Sequence, residues 1–540
     1  MKEIAVISAF NKNEKLLVFA RGLKELGMEI WASRGSAAFL NNFDVPAVDI
    51  ASKVGEPILG HQVVTLDRGI YCKILGRPER QDELAELKKH GNEIIRVVRV
   101  DLYPTEETIA KTGATLADVL DNMDIGGPTL LSAASKRRIA VCDEADHEPV
   151  LKELRRAKDA GQPFDPEFRE ILGTKADFFV SWYRSLTANF RGPGRFLTIH
   201  ATHLHDCAYG ENHRQTPARV FTIKTGEQDP LRYEAFKHVG GSSPSYNNNL
   251  DLMGALRTVT ELAATWKVNF GEVPYIAVAV KHTNPCGVGV GAKPEIALKK
   301  AIDGNRKAIF GGCLMVNFPI TNELALVIRD YNTAGDSRRI LDAVIASSFD
   351  DEAIKELERA KGKCRFFENG KLAELDEHSL YRGPLFAPLW GAIETQPSVP
   401  FILDLKDTRI VRHGDKLTPQ QERDMLIARV VCGVTTSNTI SLAKDDMLKG
   451  NGAGQQSRVI AARVALMVAD DGGHNAGGAV GASDSFFPAP DGPEVLAKAG
   501  IGAMFTTSGS RRDDETIAVF NWYRIPLVML PDVVARGFRH

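Results

Sequence analysis

YIAVAVKHTNPCGVGVG, residues 275–291, places a lysine and a histidine directly behind an apolar run. Ile276 to Val280 is short, rich in β-branched residues and unbroken, the pattern of a strand covered on both faces. Open α/β sheets carry their chemistry just beyond the carboxyl ends of such strands. Lys281 and His282 stand at that point, ahead of the turn-forming Asn284-Pro285-Cys286-Gly287. Histidine titrates near neutral pH and lysine supplies a compact cation, so the pair has the means to move a proton and steady developing negative charge. From these residues alone two readings stay open: a catalytic pair, or a strand exit with a satisfied histidine and a solvated lysine.

The rest of the chain has a globular composition. It has 540 residues, 25% of them charged and 44% hydrophobic, which suggests two to four domains. A formal net charge of -2 argues against nucleic acid or an anionic membrane as the main partner. The opening MKEIAVISAF is too polar for a secretory signal and reads as a first strand. No apolar run approaches the roughly 20 residues that span a bilayer. Seven scattered cysteines, an odd number, point to a reduced, cytoplasmic protein.

Residues 1–150 alternate strand and helix patterns: a strand at Glu3–Ser8, a helix over Glu14–Leu26, a strand at Glu29–Ala32, a helix starting at Ser36 and a strand over Glu93–Leu102. That rhythm predicts a parallel sheet with helices on both faces. Glu148–Ala160 reads as a charged helix leading out of this domain. Residues 151–205 read as a connector with a helix over Ala176–Asn189. A second α/β region then runs to the C-terminus, with a seam near 370–400 where prolines cluster.

Several short stretches have the composition of binding loops. Asp124-Ile125-Gly126-Gly127-Pro128 reads as a substrate loop or a plain turn. Ser33-Arg34-Gly35-Ser36 offers a helix start to a phosphate, or is a capped helix without ligand. Gly450 to Arg458 combines glycines, amides and an arginine but lacks a P-loop ending. Pro285-Cys286 has Gly289 where a zinc deaminase would have its second cysteine, and His200, His203 and His205 have no completing ligand, so no metal is expected.

Taken in order, these stretches resemble one family, the bifunctional purine-biosynthesis enzymes that join an AICAR transformylase to an IMP cyclohydrolase. Tyr209-Gly210-Glu211-Asn212 resembles R-Y-G-x-N, residues 281–287 resemble K-H-x-N-P-C-G, and Phe310-Gly311-Gly312 matches a further element. Ser437-Asn438 with Gly452 to Arg458 matches S-N-S…G-A-G-Q-Q-S-R, and Ser483 to Pro488 matches S-D-A-F-F-P. In the first domain Asp101-Leu102-Tyr103-Pro104 matches N-L-Y-P, Asp124–Pro128 matches D-I-G-G-P, Lys136 matches the lysine of A-A-A-K, and Lys12 and Ser33–Ser36 match parts of S-D-K-T-G and S-G-G-T.

The resemblance implies a methylglyoxal-synthase-like parallel-sheet domain over 1–150, a connector over 151–205, and a transformylase region of two cytidine-deaminase-like α/β subdomains, 206–385 and 386–540. It implies formyl transfer from 10-formyltetrahydrofolate, as co-substrate, to the 5-amino group of AICAR, with cyclisation to IMP to follow. His282 would be the base, Lys281 and Asn438 the oxyanion stabilisers, and Asp491 an aid to the pterin. Tyr209, Gly210, Asn212, Arg458, Phe486 and Arg536 would bind substrate. Lys12, Ser33, Ser36, Tyr103, Asp124 and Lys136 would form the cyclohydrolase-like site. A homodimer with small-molecule substrates is expected.

This chain departs from the pattern in places. Ala208 and Arg214 replace an arginine and a histidine, and the signature R-V-K-T-L-H-P reads Gln62-Val63-Val64-Thr65-Leu66-Asp67-Arg68. These changes leave two alternatives: an enzyme for a related amino-carboxamide nucleotide, or a transformylase whose first domain only binds nucleotide or builds a dimer.

Overall fold

The computed structural model describes residues 1–59, 63–223, 229–335 and 337–540. They form two compact units, Met1–His200 and Ala201–His540.

The first unit is built on a parallel sheet, as its βαβα rhythm predicts. Strands β1 (Lys2–Ser8), β2 (Glu29–Ala32), β3 (Ala47–Asp49), β4 (Glu93–Val100) and β5 (Ile139–Val141) pair in the order β3-β2-β1-β4-β5. Every pairing is parallel. Alternate residues of β1 face opposite layers: Ala5 and Ile7 join one apolar cluster, Ile4 and Val6 another. Both layers are helical, and the helices pack closely. At Gly22, in the helix Glu14–Glu25, a Cβ would come within 2.7 Å of the Leu151 side chain.

The expected connector over 151–205 needs correction. Its helical part belongs to the first unit. Leu151 and Leu154 of the helix His147–Ala160 enter one core cluster, and Ala176 and Tyr183 of the helix Pro166–Arg191 enter the other. The second helix has 26 residues and starts ten residues before the expected Ala176. Asp165 caps it by accepting the Glu167 N–H at 2.9 Å, with Pro166 in the first turn. Its apolar residues recur among charges, which hides the full span from a reading of hydrophobic periodicity.

The second unit opens with the hairpin β6 (Ala201–Asp206) and β7 (Arg219–Ile223) and carries two six-stranded sheets. The first sheet contains β8 (Lys237–Gly240), β9 (Tyr275–Lys281), β10 (Asn284–Gly291), β11 (Gly312–Val316), β12 (Leu341–Ala346) and β13 (Arg365–Glu368), in the order β10-β9-β11-β12-β13-β8. An exposed hairpin follows, β14 (Pro384–Leu389) and β15 (Ala392–Pro397), at the proline-rich stretch read as a seam. The second sheet contains β16 (Val411–His413), β17 (Ile440–Ala443), β18 (Leu448–Gly452), β19 (Val480–Ser483), β20 (Ala503–Ser508) and β21 (Leu527–Pro531), in the order β16-β21-β20-β19-β17-β18. One apolar cluster contains residues of both sheets and of the helices Tyr246–Phe270 and Pro419–Val434, so 206–385 and 386–540 share a core.

Strand β9 is covered on both faces, as its sequence indicates. Ile276, Val278 and Val280 pack into the shared cluster, and Ala277 and Ala279 into a separate one. It runs antiparallel to both β10 and β11. Lys281 leads into a two-residue hairpin turn at His282-Thr283, and Asn284-Pro285-Cys286-Gly287, expected to form the turn, begin β10 instead. Among the described residues, no helix is long and apolar enough to cross a membrane.

Candidate active sites

His282 and Thr283 form the β9–β10 turn, with φ of 50° and 66°. Two positive φ angles in a two-residue hairpin match the right-handed twist of the strands. They are costly for a β-branched residue such as Thr283. Tertiary contacts hold the turn in place. Asp251, on the helix Tyr246–Phe270, accepts the Thr283 N–H at 2.7 Å. Asp251 is buried, and its carboxyl pKa is raised by that burial, against the opposing pull of the Thr283 N–H and of His282. Gly254, one turn further on, lets the helix approach closely, since a Cβ there would lie 2.7 Å from the Thr283 carbonyl. The His282 side chain is left exposed. Lys281 Nζ donates to the Phe310 carbonyl at 2.7 Å, which joins the pair to the Phe310-Gly311-Gly312 element.

Asn284 carries the turn across to the second sheet. Its Nδ2 donates to the His282 carbonyl at 3.0 Å, and its Oδ1 accepts the Thr436 N–H at 3.1 Å. Thr436 begins the loop that contains Asn438. The Asn438 backbone N–H and Nδ2 both donate to the Gln455 carbonyl at 2.9 Å. Lys281, His282, Asn438 and the glycine-rich 452–458 stretch thus form one connected region. Arg458 Nη2 lies 3.0 Å from Asp484 Oδ1, and Asp484 is completely buried. Asp484 also accepts from the Ser437 hydroxyl and, at 3.2 Å, from the Thr439 N–H.

The C-terminal tail closes this region. Ser437 N–H donates to the Arg539 carbonyl at 2.9 Å, and the Gly537 N–H to the Asp484 carbonyl at 2.7 Å. The guanidinium carbons of Arg458 and Arg536 lie 5.5 and 5.0 Å from the Phe538 ring centre. Arg536 also bonds to Asp532 through Nε at 2.6 Å. Phe486 is half-buried near Gly509. Asp491 is exposed and its Oδ1 accepts the Gly492 N–H at the start of a helix. The loop of Tyr209, Gly210 and Asn212 meets the helix Tyr246–Phe270 at its first residue, where the Tyr246 N–H donates to the Tyr209 carbonyl at 3.1 Å. Gln215 closes that loop, with its Oε1 accepting the Asn212 N–H at 2.7 Å.

In the first unit, Ser33 immediately precedes the helix Arg34–Asn42. Lys12 Nζ would lie 3.8 Å from a Cβ at Gly35, so an ammonium stands beside the helix start. Ser36 is fully buried; its hydroxyl donates to the Ala9 carbonyl at 3.2 Å and accepts the Ala9 N–H at 3.0 Å. Ser36 thus latches the helix to the end of β1. Arg34 is held by Asp49 and Glu56.

Asp124 sits before the helix Gly126–Ser135 and accepts the Gly127 N–H at 2.9 Å. Its own N–H donates to the Tyr183 hydroxyl at 2.7 Å. Burial raises the Asp124 pKa, with the backbone N–H groups and Arg184 pulling the other way. Its charge is felt by Tyr103 and Tyr71, whose pKa values rise, Tyr71 to about 12, chiefly through burial and then through Asp124. The Tyr71 hydroxyl is buried and has no hydrogen-bond partner among the described residues.

The family model described as AICARFT/IMPCHase bienzyme matches residues 134–468, and an MGS-like domain model matches 15–129. The chain is 33% identical to the bifunctional purine biosynthesis protein PurH of Anoxybacillus flavithermus, with 100% of both chains covered. It is 32% identical to the proteins of the same name from Nostoc sp., covering 100% of this chain and 99% of that one, and from Oceanobacillus iheyensis, covering 100% of both. The chain belongs to the AICARFT/IMPCHase bienzyme family. A solved structure described as "Crystal structure of ForH" matches 35% of this chain and 99% of its own, at 27% identity and a TM-score of 0.31, too low to bear on the fold.

Against the AICARFT/IMPCHase pattern, the departures now have places. Val64 packs as a partly buried residue against an apolar cluster of the first unit. Asp67 caps the helix Arg68–Leu75, accepting the Gly69 and Ile70 N–H groups at 2.8 and 3.1 Å. Gln62 lies outside the described residues. Asp101, where the family pattern has asparagine, pairs with Arg99. Arg99 is fully buried and its Nε donates to His147 Nε2 at 3.1 Å.

Lys136 stands apart from Asp124 in the first unit. Asp124 precedes the helix Gly126–Ser135 and Lys136 follows it, about 18 Å away along the axis. Asp251, Thr436, Asp484, Tyr71 and Arg184 escaped the sequence reading. Only Asp484 lay inside a quoted motif; the others are joined to the sites by tertiary contacts.

Proposed function

We propose that the chain transfers a formyl group from 10-formyltetrahydrofolate to the 5-amino group of AICAR, in purine biosynthesis. The carrying observation is the connected region in which Asp251 and Asn284 hold the His282 turn against the Asn438 loop. The amine is a poor nucleophile, because the imidazole and carboxamide withdraw its lone pair. It attacks the formyl carbon, a C–N bond forms, and the carbonyl oxygen becomes an oxyanion. His282, exposed and free to rotate, takes the amine proton. Lys281 and Asn438 stabilise the oxyanion. The tetrahedral carbon then releases the folate nitrogen, which leaves protonated, with Asp491 on the pterin side and Phe486 against the folate ring. Arg536, Tyr209, Gly210 and Asn212 hold the nucleotide. Arg458 serves as a positioning residue, because its guanidinium already holds Asp484.

The test is purified protein with AICAR and 10-formyltetrahydrofolate, following tetrahydrofolate by absorbance and nucleotides by chromatography. Absence of turnover with AICAR would overturn the reading.

A second reading concerns the first unit. Ring closure is intramolecular, so positioning supplies much of its acceleration, and Lys12, Ser33, Tyr103 and Asp124 remain available. The apolar packing of Val64 and the capping role of Asp67 favour a nucleotide-binding module without ring closure. Accumulation of the formamido nucleotide supports that reading, and release of IMP defeats it.

We also read the protein as a homodimer. The β14–β15 hairpin leaves Leu389, Trp390 and Ile393 exposed, an apolar surface suited to a second copy. Sedimentation as a monomer at micromolar concentration would refute this.

A further inference from the structure

The carboxyl-terminal part of the helix Pro166–Arg191 borders a cavity of about 510 Å³ within the first unit. Arg184, Thr187, Ala188 and Arg191 recur at intervals of three and four, which places them on one face of the helix. The chain then turns, with the Arg195 N–H donating to the Gly192 carbonyl at 3.0 Å, and this brings a third arginine to the same cavity. Met123 and Phe196 supply the apolar part of the lining, and the Phe196 ring is largely exposed. Among the described residues, no carboxylate lines the cavity, and none of the three guanidinium groups has an ion pair or a side-chain hydrogen bond; the charge of Arg184 reaches Asp124 and the adjacent Tyr183, where it lowers the pKa of each against the rise that burial causes. Thr187, also in the lining, is 5% exposed, and its buried hydroxyl has no hydrogen-bond partner among the described residues.

Three guanidinium groups, unpaired among the described residues, around an apolar floor fit a phosphate attached to a flat ring. Arginine forks match phosphate oxygens, and an exposed aromatic ring offers a stacking face. The volume falls in the range of small-ligand sites. We propose that this cavity binds the phosphate of a purine nucleotide, at a place distinct from the helix start beside Lys12. The proposal does not rest on the transformylase assignment. The competing explanation is that Arg191 and its neighbours only neutralise the carboxyl end of the helix.

Calorimetric titration of the full chain with IMP, inosine and inorganic phosphate tests the proposal. The variants are Arg191→Gln with Arg195→Gln, both at exposed residues, and, separately, Lys12→Ala. An IMP site weakened at least tenfold by the arginine pair but kept in Lys12→Ala, and absent for inosine, supports it. If inorganic phosphate binds there as tightly as IMP, the phosphate site stands and its natural ligand is free phosphate. An unchanged IMP isotherm in the arginine variant overturns the proposal, with or without a lower melting temperature. So does loss of all IMP binding in Lys12→Ala.

Discussion

Arg99 Nη1 lies 2.5 Å from Asp101 Oδ1, and Asp101 Oδ2 in turn accepts the Asn11 N–H at 3.1 Å. A fully buried cation thus anchors the loop that presents Lys12, one step removed from the surface. Asp101→Asn keeps the shape and removes the counter-charge. It should destabilise the first unit by about 3 kcal/mol, because breaking a buried pair strands its partner. Arg99→Met added to Asp101→Asn should restore most of the loss. Urea denaturation of the three proteins checks both expectations.

The same cluster makes stability depend on pH. Burial, and then Arg99, lowers the His147 pKa from 6.5 to about 4. Between these pH values the unfolded chain binds the proton and the folded chain does not. The contribution of His147 is therefore complete above its unfolded value, and is lost as pH falls from 6.5 towards 4. The full loss is about 3 kcal/mol. Urea midpoints measured from pH 7.5 to 4.5 should fall, with a shallower slope in His147→Gln.

His282→Ala should lower formyl transfer by roughly 10²–10⁴-fold with folding intact. Circular dichroism and steady-state kinetics would show near-normal turnover if the role is wrong.

Asp251 acts through the turn it holds. Asp251→Ala should lower kcat about tenfold with little change in KM for AICAR, because the His282 turn loses its anchor. Asp251→Asn, which keeps an acceptor for the Thr283 N–H, should recover much of the rate. Equal losses in both variants would point to the Asp251 charge instead.

Asp484→Asn removes the buried charge that Arg458 faces and weakens the hold on Ser437 and Thr439. A loss of about 3 kcal/mol is expected. Thermal melts should show it, with slower formyl transfer from the loosened Asn438 loop.

Much of the architecture could be read from pattern alone. The parallel sheet of the first unit follows from alternating periodicities, and the double burial of Ile276–Val280 from an unbroken apolar run. Asn284-Pro285-Cys286-Gly287 has the composition of a turn, yet it begins β10, because pairing with β9 outweighs local turn preference. The helix Pro166–Arg191 was shortened because its apolar residues are spaced among charges. Motifs located Lys281, His282 and Asn438. Asp251 and Thr436, which hold them, belong to no motif and meet them only through folding. Ser36 and Asp67 have residue types that suit a ligand, yet backbone groups already occupy them, those of Ala9 for Ser36 and those of the next helical turn for Asp67.

The separation of Asp124 from Lys136 limits what a single chain can do. The ten-residue helix Gly126–Ser135 sets the two backbones at its opposite ends, so a substrate that meets both groups has to span much of the helix, less what the side chains reach. Ring closure that uses both groups then depends on how far the Lys136 side chain reaches back along the helix, or on a second copy supplying one of them. In the second case activity fades on dilution and revives when inactive Asp124 and Lys136 mutants are mixed; in the first it does neither.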